Sequence, residues 1–96
     1  MTTPIACGHF IAGRWDTTGE GAITRANPAD TSEIVARAPE GGAADARRAV
    51  DGAALAAEKW RRVIPPERGK IVLRAARILE DRLEEVATLL TREQGK

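Results

Sequence analysis

The chain has 96 residues with 15 basic and 14 acidic side chains, a formal net charge of +1. That length admits one domain at most, or part of one, and the charge balance excludes a nucleic-acid or anionic-membrane binder that works by bulk charge. The single cysteine excludes an internal disulfide, and with a single histidine it cannot complete the usual four-ligand zinc site. No apolar run approaches the length of a bilayer span. Alanine supplies 18 residues, while Leu, Ile, Val and Phe together supply 19, near the lower edge for a globular core. A chain of this size is marginal on its own.

Residues 1–8 read as a flexible arm. No basic stretch precedes a long apolar segment there, so the arm is not a signal peptide, and the cytoplasm is the default compartment. His9-Phe10-Ile11 is a short extended run that breaks at Gly13 and resumes at Arg14-Trp15. Gly19-Glu20-Gly21 punctuates the chain before a second extended stretch, Ala22 to Ala26. Asn27-Pro28-Ala29-Asp30 is a turn signal, because proline fixes φ and Asn or Asp bonds its own backbone. Glu33 to Ala38 is a further strand, closed by Pro39 and Gly41-Gly42. These runs predict two or three short antiparallel strands.

From Ala43 the apolar period changes from 2 to 3.6. Ala46, Ala49, Val50, Ala53, Ala57 and Trp60 fall on one helical stripe made mostly of methyl groups. Pro65 and Pro66 end this helix and open the next, since proline suits a first helical turn. The second helix is expected over roughly 66–92, about 40 Å long against about 30 Å for its predecessor. Val72, Ala76, Leu79, Leu83, Val86 and Leu90 make one seam along it, and Ile71, Ile78 and Leu89 make a second row about 100° away. The polar residues Lys70, Arg74, Arg77, Asp81, Glu84, Glu85, Thr88 and Arg92 occupy the other side. The architecture expected is a strand and hairpin region followed by two antiparallel helices. The alanine-rich helix covers the first seam; the strands, or something outside these residues, cover Ile71, Ile78 and Leu89.

Few residues invite chemistry. Cys7 is the only candidate thiol nucleophile, and His9 two residues on has no third group to orient it; both read as incidental. Glu80, Asp81, Glu84 and Glu85 lie on an arginine-rich helix where Arg77–Asp81 and Arg82–Glu85 have ion-pair spacing, which describes a solvated face. Arg47, Arg48, Lys59, Arg61 and Arg62 give residues 41–64 a net charge of +2, again a solvated face because acids intervene and no aromatic residues interleave. Gly41-Gly42 precedes a helix but lacks dinucleotide or phosphate-loop spacing, so it reads as a joint. No catalytic, cofactor-binding or metal-ligating residue is assigned.

Taken in order, the punctuating residues carry a resemblance. They are Phe10-Ile11-Ala12-Gly13-Arg14-Trp15, Asn27-Pro28-Ala29, Ala49-Val50 with Ala53 and Trp60, Glu67-Arg68, and Thr91-Arg92-Glu93-Gln94-Gly95-Lys96. This series resembles the N-terminal segment of the NAD(P)-dependent aldehyde dehydrogenase superfamily over residues 9–96. One departure follows Asn27-Pro28, where Asp30-Thr31-Ser32 stands in place of the usual turn glycine. The resemblance implies an α/β parent several times longer, of which residues 9–96 form the first part of the cofactor-binding domain. Such enzymes oxidise an aldehyde through a cysteine thiohemiacetal, hydride transfer to NAD or NADP, and glutamate-assisted hydrolysis. Cys7 does not match the catalytic position, and these 96 residues are expected to act as scaffold without binding cofactor themselves. In some members a monovalent cation sits near the backbone before Asn-Pro and near an acid in the last motif, which here are Arg25, Ala26 and Glu93. The row Ile71, Ile78 and Leu89 would face the remainder of the dehydrogenase or another subunit; nucleic acid and membrane are not expected partners. The alternative is a non-catalytic dimerisation or interaction module built from the same hairpin and helices.

Overall fold

The computed structural model describes residues 3–19 and 21–96. It contains five strands, β1 (Ile5–Ala6), β2 (His9–Ile11), β3 (Arg14–Asp16), β4 (Ala22–Asn27) and β5 (Asp30–Pro39), then three helices, α1 (Ala43–Trp60), α2 (Pro65–Asp81) and α3 (Leu83–Gln94). The strands form two sheets, one ordered β1-β5-β4 and one pairing β2 with β3.

The β2–β3 hairpin turns on Ala12 and Gly13, both with positive φ (52° and 78°), the twist that a tight two-residue connection needs. It sets Phe10 opposite Trp15, with ring centroids 4.9 Å apart. The β4–β5 hairpin turns at Pro28-Ala29, where the Ala29 amide donates to Asn27 Oδ1 and the Ser32 amide to Asp30 Oδ1. None of residues 28–32 has a positive φ, so side-chain acceptors close this turn without the expected glycine. Part of the arm expected over residues 1–8 is strand: Ile5 and Ala6 pair in parallel with Ala36 and Arg37, and the Cys7 amide donates to the Arg37 carbonyl. Met1 and Thr2 of that arm, and Glu20 of the Gly19-Glu20-Gly21 break, lie outside the described residues.

α1 begins at Gly42, whose amide donates to Asp45 Oδ2, and an acid in the first turn with Lys59 in the last suits the helix dipole. It packs on the β2–β3 hairpin through Gly52, where an added Cβ would lie 3.6 Å from the side chains of Ile11 and Ala12. Arg48 ties the two together, reaching both Asp16 and Asp45.

The single helix expected over 66–92 is two helices. Arg82 leaves helical geometry (φ −108°, ψ 21°), its amide shared between the carbonyls of Ile78 and Leu79 and its guanidinium held by Glu85. No Pro or Gly marks the break; its reason is tertiary, because α3 turns onto the β4–β5 hairpin while α2 stays clear of it. The expected pairing of two antiparallel helices is also absent. α1 and α2 do not pack along their lengths, and Val50, Trp60, Val72, Leu79, Leu83 and Leu90 are all exposed. The second row is split by the same break: Ile71 and Ile78 are about half exposed (54% and 51%), whereas Leu89 on α3 is half-buried beside Ile5.

Among the described residues only Val35, in the middle strand of its sheet, is a fully buried hydrophobic side chain (1% exposed). The radius of gyration is 16.8 Å, against about 12.5 Å for a compact chain of this length.

Candidate functional site

The residues singled out for chemistry do not converge. Cys7 lies on the edge of the three-stranded sheet and His9 in the other sheet. The His9 ring lies over Gly41, where an added Cβ would come within 3.3 Å of Cε1; its Nε2 is buried with no partner among the described residues. Glu80, Asp81, Glu84 and Glu85 are exposed. Glu85 is the one that pairs, with Arg82, whose hydrogen bond and charge lower its pKa; Arg77 and Asp81 form no ion pair. Arg47, Lys59, Arg61 and Arg62 are exposed, and Arg61 bonds Glu58 on its own helix. No group of three or more His, Cys, Asp or Glu among the described residues could hold a metal ion.

The organised polar centre lies where the Asn27-Pro28-Ala29 turn meets the end of α3. Glu33 on β5 accepts from Asn27 Nδ2 (3.0 Å) with one carboxylate oxygen and from Arg92 Nε with the other. The Glu33 and Arg92 side chains are each 17% exposed. Glu33's pKa is lowered, first by the Asn27 hydrogen bond and then by Arg92. Arg92 Nη2 is buried without a partner among the described residues. Arg25 on β4 reaches the same helix end, its Nη2 donating to the Glu93 carbonyl at 2.9 Å. Gly95 ends α3 at φ 72° directly against Pro28 and Ala29.

The Asn27-Pro28-Ala29 and Thr91–Lys96 motifs, far apart in the chain, thus form one junction. The resemblance brought Arg25, Ala26 and Glu93 together for a monovalent cation, and Arg25 and Glu93 do meet. The arrangement suits such an ion poorly, because the Glu93 carbonyl already takes a guanidinium donor and Arg25 places its own positive charge beside that oxygen. Sequence reasoning missed Glu33, read only as a strand residue. Its signal was a carboxylate shortly after an Asn-Pro turn, with no indication of a partner 59 positions away.

The hairpins and α3 thus form a frame fastened by polar residues, and the apolar faces of α1 and α2 are left open. The chain belongs to the aldehyde dehydrogenase family, whose pattern matches residues 15–96. It is 39% identical to an alpha-ketoglutarate semialdehyde dehydrogenase of Haloferax volcanii over 97 aligned residues, covering 100% of this chain and 20% of that protein. It is 40% identical to an alpha-ketoglutaric semialdehyde dehydrogenase of Bacillus subtilis, covering 92% of this chain and 18% of the relative. With betaine aldehyde dehydrogenase 2 of Rhizobium meliloti it shares 38% identity over 100% of its own length and 21% of the relative's. The chain therefore spans about a fifth of the length of these relatives. No helix among the described residues is long and apolar enough to cross a membrane.

Proposed function

We propose that these residues are the N-terminal scaffold of an NAD(P)-dependent aldehyde dehydrogenase that oxidises an aldehyde to the carboxylic acid. The observation that carries this reading is the family match over residues 15–96, on a chain whose relatives are about five times as long. NAD or NADP, held by the rest of the polypeptide, would accept the hydride. The role of this segment is mechanical. The hairpins and α3 form a fastened frame, and α1 and α2 present exposed apolar side chains to the remainder of the dehydrogenase or to a neighbouring subunit. Ile71 and Ile78 lie in that contact. The relatives carry the names of alpha-ketoglutarate semialdehyde, betaine aldehyde and malonate semialdehyde dehydrogenases, so the reading stays at the level of an aldehyde.

The test is turnover. The full polypeptide carrying this segment should reduce NAD or NADP when given an aldehyde, followed by the reduced nicotinamide absorbance. The 96-residue chain alone should give none under the same conditions. Oxidation by the short chain, or a full polypeptide inert towards every aldehyde tried with both dinucleotides, would overturn the proposal.

A further inference from the structure

The last carbonyls of a helix carry the negative end of its dipole and lack intrahelical donors. In α3 the Gly95 and Lys96 amides both turn back to the Thr91 carbonyl, and the Glu93 carbonyl takes its donor from Arg25, 68 positions earlier in the chain. A register shift directly follows Arg25, between it and Ala26, and such bulges re-aim the side chains beside them. The bond joins β4 to the end of α3 next to the Glu33–Arg92 pair. A monovalent metal ion at this place would compete with the guanidinium for oxygen and add a positive charge beside that of Arg25. Resting on the reading above for the protein in which it is tested, we propose that Arg25 is the resident cation of this junction. It positions the end of α3 against β4 through the Glu93 carbonyl, and the junction takes no sodium or potassium ion.

The test uses the full dehydrogenase and reads amide exchange of peptides covering residues 83–96 by mass spectrometry. Wild-type exchange should be the same in potassium, sodium and choline chloride at equal ionic strength. Arg25→Gln should speed exchange in the last turn of α3 by about three- to tenfold, and Arg25→Lys should recover part of that loss. Exchange that slows specifically with sodium or potassium in the wild type would overturn the proposal. So would Arg25→Gln behaving as wild type, or Arg25→Lys exchanging as fast as Arg25→Gln. If Arg25→Gln does not accumulate folded, the wild-type ion comparison together with Arg25→Lys decides. Aldehyde turnover of the same wild-type sample separates a failure of the functional reading from a failure of this one.

Discussion

Gly95 offers the sharpest test of how α3 meets the Pro28-Ala29 turn. It sits at φ 72°, and a Cβ there would lie 2.9 Å from the Ala29 amide nitrogen, 3.0 Å from Pro28 Cβ and 3.2 Å from Pro28 Cδ. Two costs follow for Gly95→Ala. The left-handed conformation costs a residue with a Cβ about 1–2 kcal/mol. The clash is with backbone and a proline ring, which cannot swing aside, and overpacking of that kind costs about 1–3 kcal/mol. The sum is about 2–5 kcal/mol. Gly95→Asn separates the two, because Asn enters the left-handed region readily and leaves mainly the overpacking cost of about 1–3 kcal/mol. Gly13 is the control: its φ is 78°, but an added Cβ there meets nothing within 4 Å, so Gly13→Asn should cost less than about 1 kcal/mol. Urea midpoints of the full polypeptide, compared at unchanged m, should fall in the order Gly13→Asn, Gly95→Asn, Gly95→Ala. If Gly95→Asn unfolds no earlier than Gly13→Asn, the docking of α3 on the Pro28-Ala29 turn is wrong.

Four further expectations follow. Val35→Ala removes the one fully buried hydrophobic side chain among the described residues and should cost about 1.5–3 kcal/mol by denaturant unfolding. Asp16 has its pKa lowered to about 2, first by the Thr18 hydroxyl and amide and less by Arg48. Its folded-state pKa is depressed, so its contribution to holding the β2–β3 hairpin is whole above the ordinary value of 3.8 and fades as the pH falls towards about 2. Carboxyl NMR titration should show Thr18→Val raising that pKa further than Arg48→Gln does; the reverse order would contradict the geometry. Ile78→Asp should destabilise the full polypeptide by more than about 3 kcal/mol if the α2 face is covered, because it buries an unpaired carboxylate; wild-type stability there would argue that the face stays open. Glu33→Gln and Arg92→Gln should each loosen the α3 junction, and the double variant should be no worse than about the poorer single one, which a double-mutant cycle measures.

Local signals in the sequence located most of the elements and few of their contacts. Pro65-Pro66 opens α2, Gly41-Gly42 precedes α1, and the Asn27-Pro28-Ala29-Asp30 turn lies where its residue types require. Three features depend on partners far along the chain, and no local pattern names those partners. A two-residue strand such as Ile5-Ala6 has no measurable period, and its parallel partner lies 31 positions on. The break at Arg82 carries no Pro or Gly, because it answers to where α3 must lie. The Glu33–Arg92 pair joins residues 59 apart, and neither segment points to the other. Apolar seams misled in a specific way. The stripe from Ala46 to Trp60 and the seam from Val72 to Leu90 are each correctly spaced for packing, but spacing shows only that a face is to be covered, not by what. The candidate site was legible to the extent that the motifs carrying the resemblance, Asn27-Pro28-Ala29 and Thr91 to Lys96, are the ones that meet.

The size of the open face bears on what covers it. The described chain exposes 7866 Å², roughly 2,500 Å² more than the ~5,400 Å² expected of a compact globule of this mass. Somewhat over half of such area is apolar, so leaving it wet forgoes a large share of the burial that favours folding. Most helical stability in proteins comes from packing an amphipathic face, so the place of α2 (17 residues) depends on that cover. A standard protein–protein interface removes only about 800 Å² from each partner, and only the largest obligate ones reach the area left open here. A transient partner would leave most of Val72, Leu79, Leu83 and the alanine stripe of α1 wet. An area of this size suits the permanent cover proposed above better than a transient partner.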